Sequence, residues 1–186
     1  SLPDGERLAK LRDRHGVKVM VHRDRDFMSD DDMTAWKAHR GYTANDVPVW
    51  CSPGSDIESC FQSPDHIARA MDIDQAVAEK GIEYALSSLD QGMVSASFNE
   101  AYNKAVQALP GQANAIKRWN DLGQFGQPTV KGKEFKKALR TGLQSAVPEA
   151  GQARKLGNMA KIYEGCHETP ICDDLREHLQ GLVDGQ

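Results

Sequence analysis

Residues 17–27, Val17-Lys18-Val19-Met20-Val21-His22-Arg23-Asp24-Arg25-Asp26-Phe27, decide how this chain is read. Apolar side chains run from Val17 to Val21 around a single Lys18, and four charged residues then follow in succession. Such an apolar run predicts a buried strand over 17–22, ending where the charges begin. Upstream, residues 4–15 carry a helical pattern closed by Gly16. Downstream, residues 30–40 predict a second helix, with Ser29 or Asp30 as N-cap and Gly41 as its end. Val47-Pro48-Val49-Trp50-Cys51 then predicts a second short strand. Helix, strand, helix, strand is the order of a parallel sheet with covering helices.

Beyond Pro64 the pattern changes. Residues 64–72, 74–90, 95–109, 112–122, 131–146, 149–163 and 170–183 all predict helices, separated by Gly92, Pro110-Gly111, Gly123 to Pro128, Pro148 and Gly165. The expected fold class is therefore α/β: a parallel-sheet portion over 1–64, then an all-helical subdomain over 65–186. With 186 residues, 39% of them hydrophobic and 27% charged, the chain suits a soluble globular protein able to build a core without disulfide staples. It has no apolar run of about 18 residues and no secretory leader pattern, so no membrane span and a cytoplasmic location are expected. It begins at Ser1 rather than Met, which is read as a piece cut from a longer protein.

The net charge of −4 argues against a protein that merely coats nucleic acid, but the charge is unevenly spread. Residues 1–100 hold 11 Lys and Arg against 18 Asp and Glu, whereas residues 101–165 hold 11 against 4. An acidic first half beside a basic middle suits a metal-binding cluster next to a surface that holds phosphates; unpatterned surface charge fits the same numbers. Cys51, Cys60, Cys166 and Cys172 lack CxxC spacing, and Cys166, His167 and Cys172 do not make a zinc-site pattern, so reduced thiols are expected.

Asp24 and Asp26 are two apart at the end of the first strand, so a strand carried through them presents both carboxylates on one face. Ligands of open α/β sheets bind outside the carboxyl ends of the strands. Hard oxygen donors there suit Mg²⁺ or Mn²⁺, although a solvated turn has the same pattern. If the second strand lies parallel and adjacent, Asp56 and Glu58 open on the same edge. Ser55 to Glu58 also reads as a helix start, with Ser55 as N-cap and Glu58 closing a capping box. His22 shares the face of Asp24 and Asp26. His15, His39, His66, His167 and His178 show no ligand spacing and are read as surface, and Trp36 and Trp50 as core.

His22-Arg-Asp-Arg-Asp26-Phe27, Val47-Pro-Val-Trp50, Ser55-Asp-Ile-Glu-Ser-Cys-Phe61 and Val130-Lys-Gly132-Lys133-Glu-Phe135 together resemble the Toprim domain of the overcoming-lysogenization-defect family of nucleases and related ATPase-associated proteins. The resemblance covers roughly residues 5–70 and 130–140. It implies that residues 1–64 are the later part of a Toprim-like domain and that the chain serves a DNA endonuclease, with a role in defence. It implies two-metal phosphodiester hydrolysis, with Asp24, Asp26 and Glu58 holding Mg²⁺ or Mn²⁺, Asp56 as a further ligand, and Lys133 (or Lys131) contacting the scissile phosphate. The chain departs from the family in lacking an earlier strand that ends in a glutamate; Glu6 falls in a helix. It also lacks a Gly-x4-Gly-Lys-Ser/Thr loop. The piece alone is therefore expected to be inactive, and an ATPase domain in the same or a partner chain and a homodimer are the expected partners. The competing reading is a non-catalytic helical module that docks onto an ATPase or a second subunit.

Overall fold

The computed structural model describes residues 2–111, 114–147, 149, 153, 155–164 and 173–184. The first helix, α1 (Gly5–His15), starts where the Asp4 carboxylate accepts the Arg7 N–H at 2.9 Å, and ends at Gly16 with φ of 61°. Strand β1 (Val21–Arg23) pairs in parallel with β2 (Val49–Cys51), with Val21 opposite Val49, His22 opposite Trp50 and Arg23 opposite Cys51. Between them lies α2 (Asp30–His39), opened by a capping box in which Ser29 and Asp32 satisfy each other's backbone N–H. The parallel pairing expected from the helix–strand–helix–strand order is present.

The strand expected over 17–22 is shorter and shifted. A strand persists only where a neighbour accepts its ladder. Here the partner offers Pro48 to Ser52: Val21 N–H donates to Pro48 C=O at 2.9 Å and Ser52 N–H to Arg23 C=O at 3.2 Å. Val17 stays 43% exposed.

The rest of the described chain is helical: α3 (Pro64–Met71), α4 (Gln75–Ser87), α5 (Gln91–Val106), α6 (Ala115–Asp121), α7 (Gly132–Ala146), α8 (Lys161–Glu164) and α9 (Asp173–Asp184). Two apolar cores result. One gathers Val21, Phe27, Met28, Met33, Trp36 and Val49 with Phe98, Ala101 and Tyr102 of α5, which also sends Val94 into the core of the later helices. The other joins α3, α4 and α7 through Ile67, Ile82, Phe135, Leu139 and Leu143. Trp119 of α6 packs against both.

Three expectations are corrected. Gly92, expected to separate helices, lies in the first turn of α5, which Asp90 opens by accepting the Met93 N–H at 2.8 Å. A continuous helix over 149–163 is not formed: residues 156–160 are turns, where Asn158 Oδ1 accepts the Ala160 N–H at 3.3 Å and offers the backbone an alternative to the helical ladder. His66 is not on the surface but 1% exposed, because it lies on the inward side of α3, with Nε2 2.6 Å from the Ile162 carbonyl oxygen. His15, His39 and His178 are exposed. Trp36 and Trp50 are buried, and Cys51 and Cys60 carry thiols rather than a disulfide. Cys166, His167 and Cys172 lie outside the described residues. Among the described residues no helix is long and apolar enough to cross a membrane.

Candidate functional site

β1 ends at Arg23, and the chain does not continue as a strand through the two aspartates. Asp26 and Phe27 instead take left-handed φ of 49° and 68°. Such angles are strained for a residue as bulky as phenylalanine, at roughly 1–2 kcal/mol. The turn is held from several sides. Asp26 N–H donates to Ser55 C=O at 2.8 Å and Met28 N–H to Arg25 C=O at 3.0 Å. The Arg118 guanidinium of α6 donates to the Phe27 carbonyl at 2.6 Å and the Met28 carbonyl at 3.3 Å. The Phe27 ring is buried against Phe98, with centroids 4.5 Å apart. The expectation that strand alternation places both carboxylates on one face is thus replaced. A left-handed turn, braced by α5 and α6, sets where Asp26 sits.

Asp24 and Asp26 still lie on one edge, together with the loop that follows β2. Asp24 Oδ1 accepts the Ile57 N–H at 3.2 Å and lies 3.8 Å from His22 Nε2, whose ring stacks on Trp50. Burial pushes the Asp26 carboxyl above its ordinary range. Arg23 and Lys131 pull it down, and the charges of Asp24 and Asp56 push it further up. Burial raises the Asp56 carboxyl in the same way, against the hydrogen bonds it accepts from the backbone of Lys133 and Ser59. Three carboxylates therefore sense one another across the ends of two parallel strands.

Asp56 has a structural duty that the sequence reading assigned elsewhere. It, and not Ser55, is the N-cap of the 3₁₀ turn Ile57–Phe61. Its Oδ1 accepts the Ser59 N–H at 3.2 Å, and Ser59, not Glu58, closes the capping box. Asp56 Oδ2 accepts the Lys133 N–H at 3.3 Å, so one buried carboxylate caps the 3₁₀ turn and the start of α7 together. Ser55 Oγ accepts the Gly132 N–H at 3.1 Å. The approach requires glycine at 132: a Cβ there would lie 2.1 Å from Asp56 Oδ1. This contact joins the Val130-Lys-Gly-Lys segment to the Ser-Asp-Ile-Glu segment.

Glu58 and Lys133 also meet, with Oε1 and Nζ 3.9 Å apart, while Glu58 Oε2 is buried without a hydrogen-bond partner among the described residues. Lys133 is otherwise exposed; Lys131 is the lysine whose charge reaches Asp26. Among the described residues no three His, Cys, Asp or Glu side chains converge closely enough to hold a metal ion as they stand. Arg23 and Arg118 had no motif to announce them. The only available sign for Arg23 was its place beside Asp24, and for Arg118 there was none. A scan against protein-family models, a search of curated proteins and a search of solved structures each returned no match to this chain.

Proposed function

We propose that this chain carries the later part of a Toprim-like, divalent-metal-dependent DNA endonuclease site, with its helical remainder as support. The observation that carries this reading is the edge at which Asp24, Asp26, Asp56 and Glu58 follow two adjacent parallel strands, with α7 docked onto Asp56 by its Gly132-Lys133 start. Sheet edges of this kind are where α/β proteins place their ligands. The donor set fits a hard cation: all are carboxylates, two are held above their ordinary range by burial and mutual repulsion, and Glu58 Oε2 is orphaned. Asp24, Asp26 and Glu58 would hold Mg²⁺ or Mn²⁺. Asp56 contributes mainly as the cap that fixes them, since both of its oxygens accept backbone N–H groups. When bound, the ion supplies an activated water and stabilises the departing oxygen of a phosphodiester. Lys133 pairs only loosely with Glu58 and can offer its charge to the phosphate. A DNA substrate, an ATPase domain in the same or a partner chain, and self-association belong to this reading.

The test is plasmid nicking by the full-length protein with Mn²⁺ or Mg²⁺, together with calorimetric titration of Mn²⁺. Asp26→Asn and Glu58→Gln are expected to abolish nicking and to weaken Mn²⁺ binding, while Lys133→Ala slows nicking with binding largely retained. Unchanged nicking in a folded Asp26→Asn variant overturns the reading. One feature favours the helical docking module instead: α9 leaves Leu179 44% and Val183 73% exposed, four residues apart on one side. A protein that neither nicks nor binds Mn²⁺ but assembles through α9 would answer to that reading.

A further inference from the structure

Beside the carboxylate edge lies an open cleft of about 510 Å³, between the end of β1, the last turn of α2 and the outer side of α5. Its volume is within the roughly 300–1,000 Å³ of ligand sites. Among the described residues, Arg23, Arg40, Lys104 and Lys131 line it against two acids, Asp26 and Glu100, so they carry a surplus of two positive charges in a protein whose net charge is −4. The four cations come from four separate places in the sequence, so no local charge run produces this concentration.

Two of these cations are poorly satisfied. The Nε atoms of Arg23 and Arg40 are buried and have no hydrogen-bond partner among the described residues. The Arg23 guanidinium lies 4.3 Å from the centroid of Trp36, and burial makes its charge costly. Arg40 donates to the Leu2 carbonyl from another nitrogen. Guanidinium groups lining an open cleft suit an anion that accepts several hydrogen bonds, and phosphate is the common one.

The lysines of α7 are a weaker place for such an anion. Lys136 is engaged over the Tyr163 ring at 4.3 Å, and Lys133 stands 3.9 Å from Glu58. Lys131, by contrast, opens into the cleft, and Asp26 lines its wall.

We infer that this cleft seats a backbone phosphate of a nucleic-acid strand, held by Arg23, Arg40, Lys104 and Lys131, immediately beside Asp26. The choice of a strand rather than a free phosphate compound rests on the nuclease reading above; the choice of a phosphate rests on the cleft alone. Asp26 is shared between the cleft and the carboxylate edge, so a strand seated here runs directly to the candidate metal ligands.

Binding in EDTA tests this without any metal or cleavage. The probe is a fluorescein-labelled single-stranded oligodeoxynucleotide, read by anisotropy over a range of salt, with AMP and inorganic phosphate as competitors. Lys104→Gln, an exposed position that leaves folding intact, and Arg40→Gln are each expected to weaken binding by about ten-fold, the worth of one charge-assisted hydrogen bond. Each is also expected to lower the salt slope by about one. Lys137→Gln, on the exposed side of α7, is expected to leave affinity within about two-fold, as surface changes away from a site usually do. Equal losses for Lys137→Gln and Lys104→Gln, or no loss for either cleft variant, overturn the cleft assignment. AMP binding as tightly as the oligonucleotide overturns the strand and identifies a mononucleotide site. Loss of nicking in the metal-ligand variants with oligonucleotide binding intact, or the reverse, separates the failure of one proposal from that of the other.

Discussion

Asp26 shows how one residue can be held against its own electrostatic preference. It is half-buried, lies near two other carboxylates and sits in a left-handed turn that asparagine adopts as readily. Because burial raises its folded pKa above the unfolded value, the folded state binds protons more readily than the unfolded one. The ionised form therefore subtracts from stability, and that loss grows as pH rises from near the ordinary value of 3.8 through the raised folded value. Asp26→Asn is thus expected to raise the urea midpoint at neutral pH in EDTA, with the gain shrinking as pH falls towards 4. Urea titrations at several pH values measure it. A lower midpoint at neutral pH would mean that the attraction of Arg23 and Lys131 outweighs burial.

Among the elements, the pairing of α4 with α7 dominates the second core, and its closeness depends on two glycines. A Cβ on Gly142 would lie 2.1 Å from the Gly81 carbonyl oxygen, and one on Gly81 would lie 2.5 Å from Leu143 Cδ2. The helices therefore touch backbone to backbone. Gly142→Ala is expected to cost about 1–3 kcal/mol, because the contact is with main chain that cannot swing aside. Gly181→Ala in α9, where a Cβ meets no described residue within 4 Å, should instead be neutral or gain up to about 1 kcal/mol from helix propensity. Chemical denaturation of the two variants side by side decides it, and a neutral Gly142→Ala would refute the tight crossing. Since α7 begins at the Asp56 cap, loosening this crossing is also expected to loosen the candidate site.

At the scale of the molecule, the two cores are joined by α5, which gives Val94 to one and Phe98 to the other, and by side chains that bridge them. Trp119 packs against both and meets Phe98 edge-on at 5.0 Å, Ser97 Oγ donates to Glu134 at 2.8 Å, and Asp56 caps α7. A single calorimetric unfolding transition is expected for the native protein, because neither core can open without breaking these links. Trp119→Ala is expected to cost about 3 kcal/mol and to split or broaden the transition. Two resolved transitions in the unsubstituted protein would show that the cores unfold independently.

Local chemistry made much of this fold legible. Asp4, Ser29 and the glycine at 16 act within one turn of themselves, so the bounds of α1 and α2 followed from neighbours in sequence. Short apolar runs separated by a helix were enough to place β1 beside β2 in parallel. What tertiary structure decided involves partners far along the chain. Of the expected strand, only the part from Val21 on is formed, because β2 offers partners no further than Pro48 to Ser52. Phe27 tolerates a left-handed φ because Arg118, about ninety residues on, donates to its carbonyl. His66 is buried because Ile162 offers it an acceptor. Arg23, Arg40, Lys104 and Lys131 share a cleft because α5 buries Phe98, Ala101 and Tyr102 against the sheet portion. Caps and periodicities are set by energies between adjacent residues, whereas the meeting of distant charges is set by which apolar faces bury one another, and that balance exists only once the chain has closed.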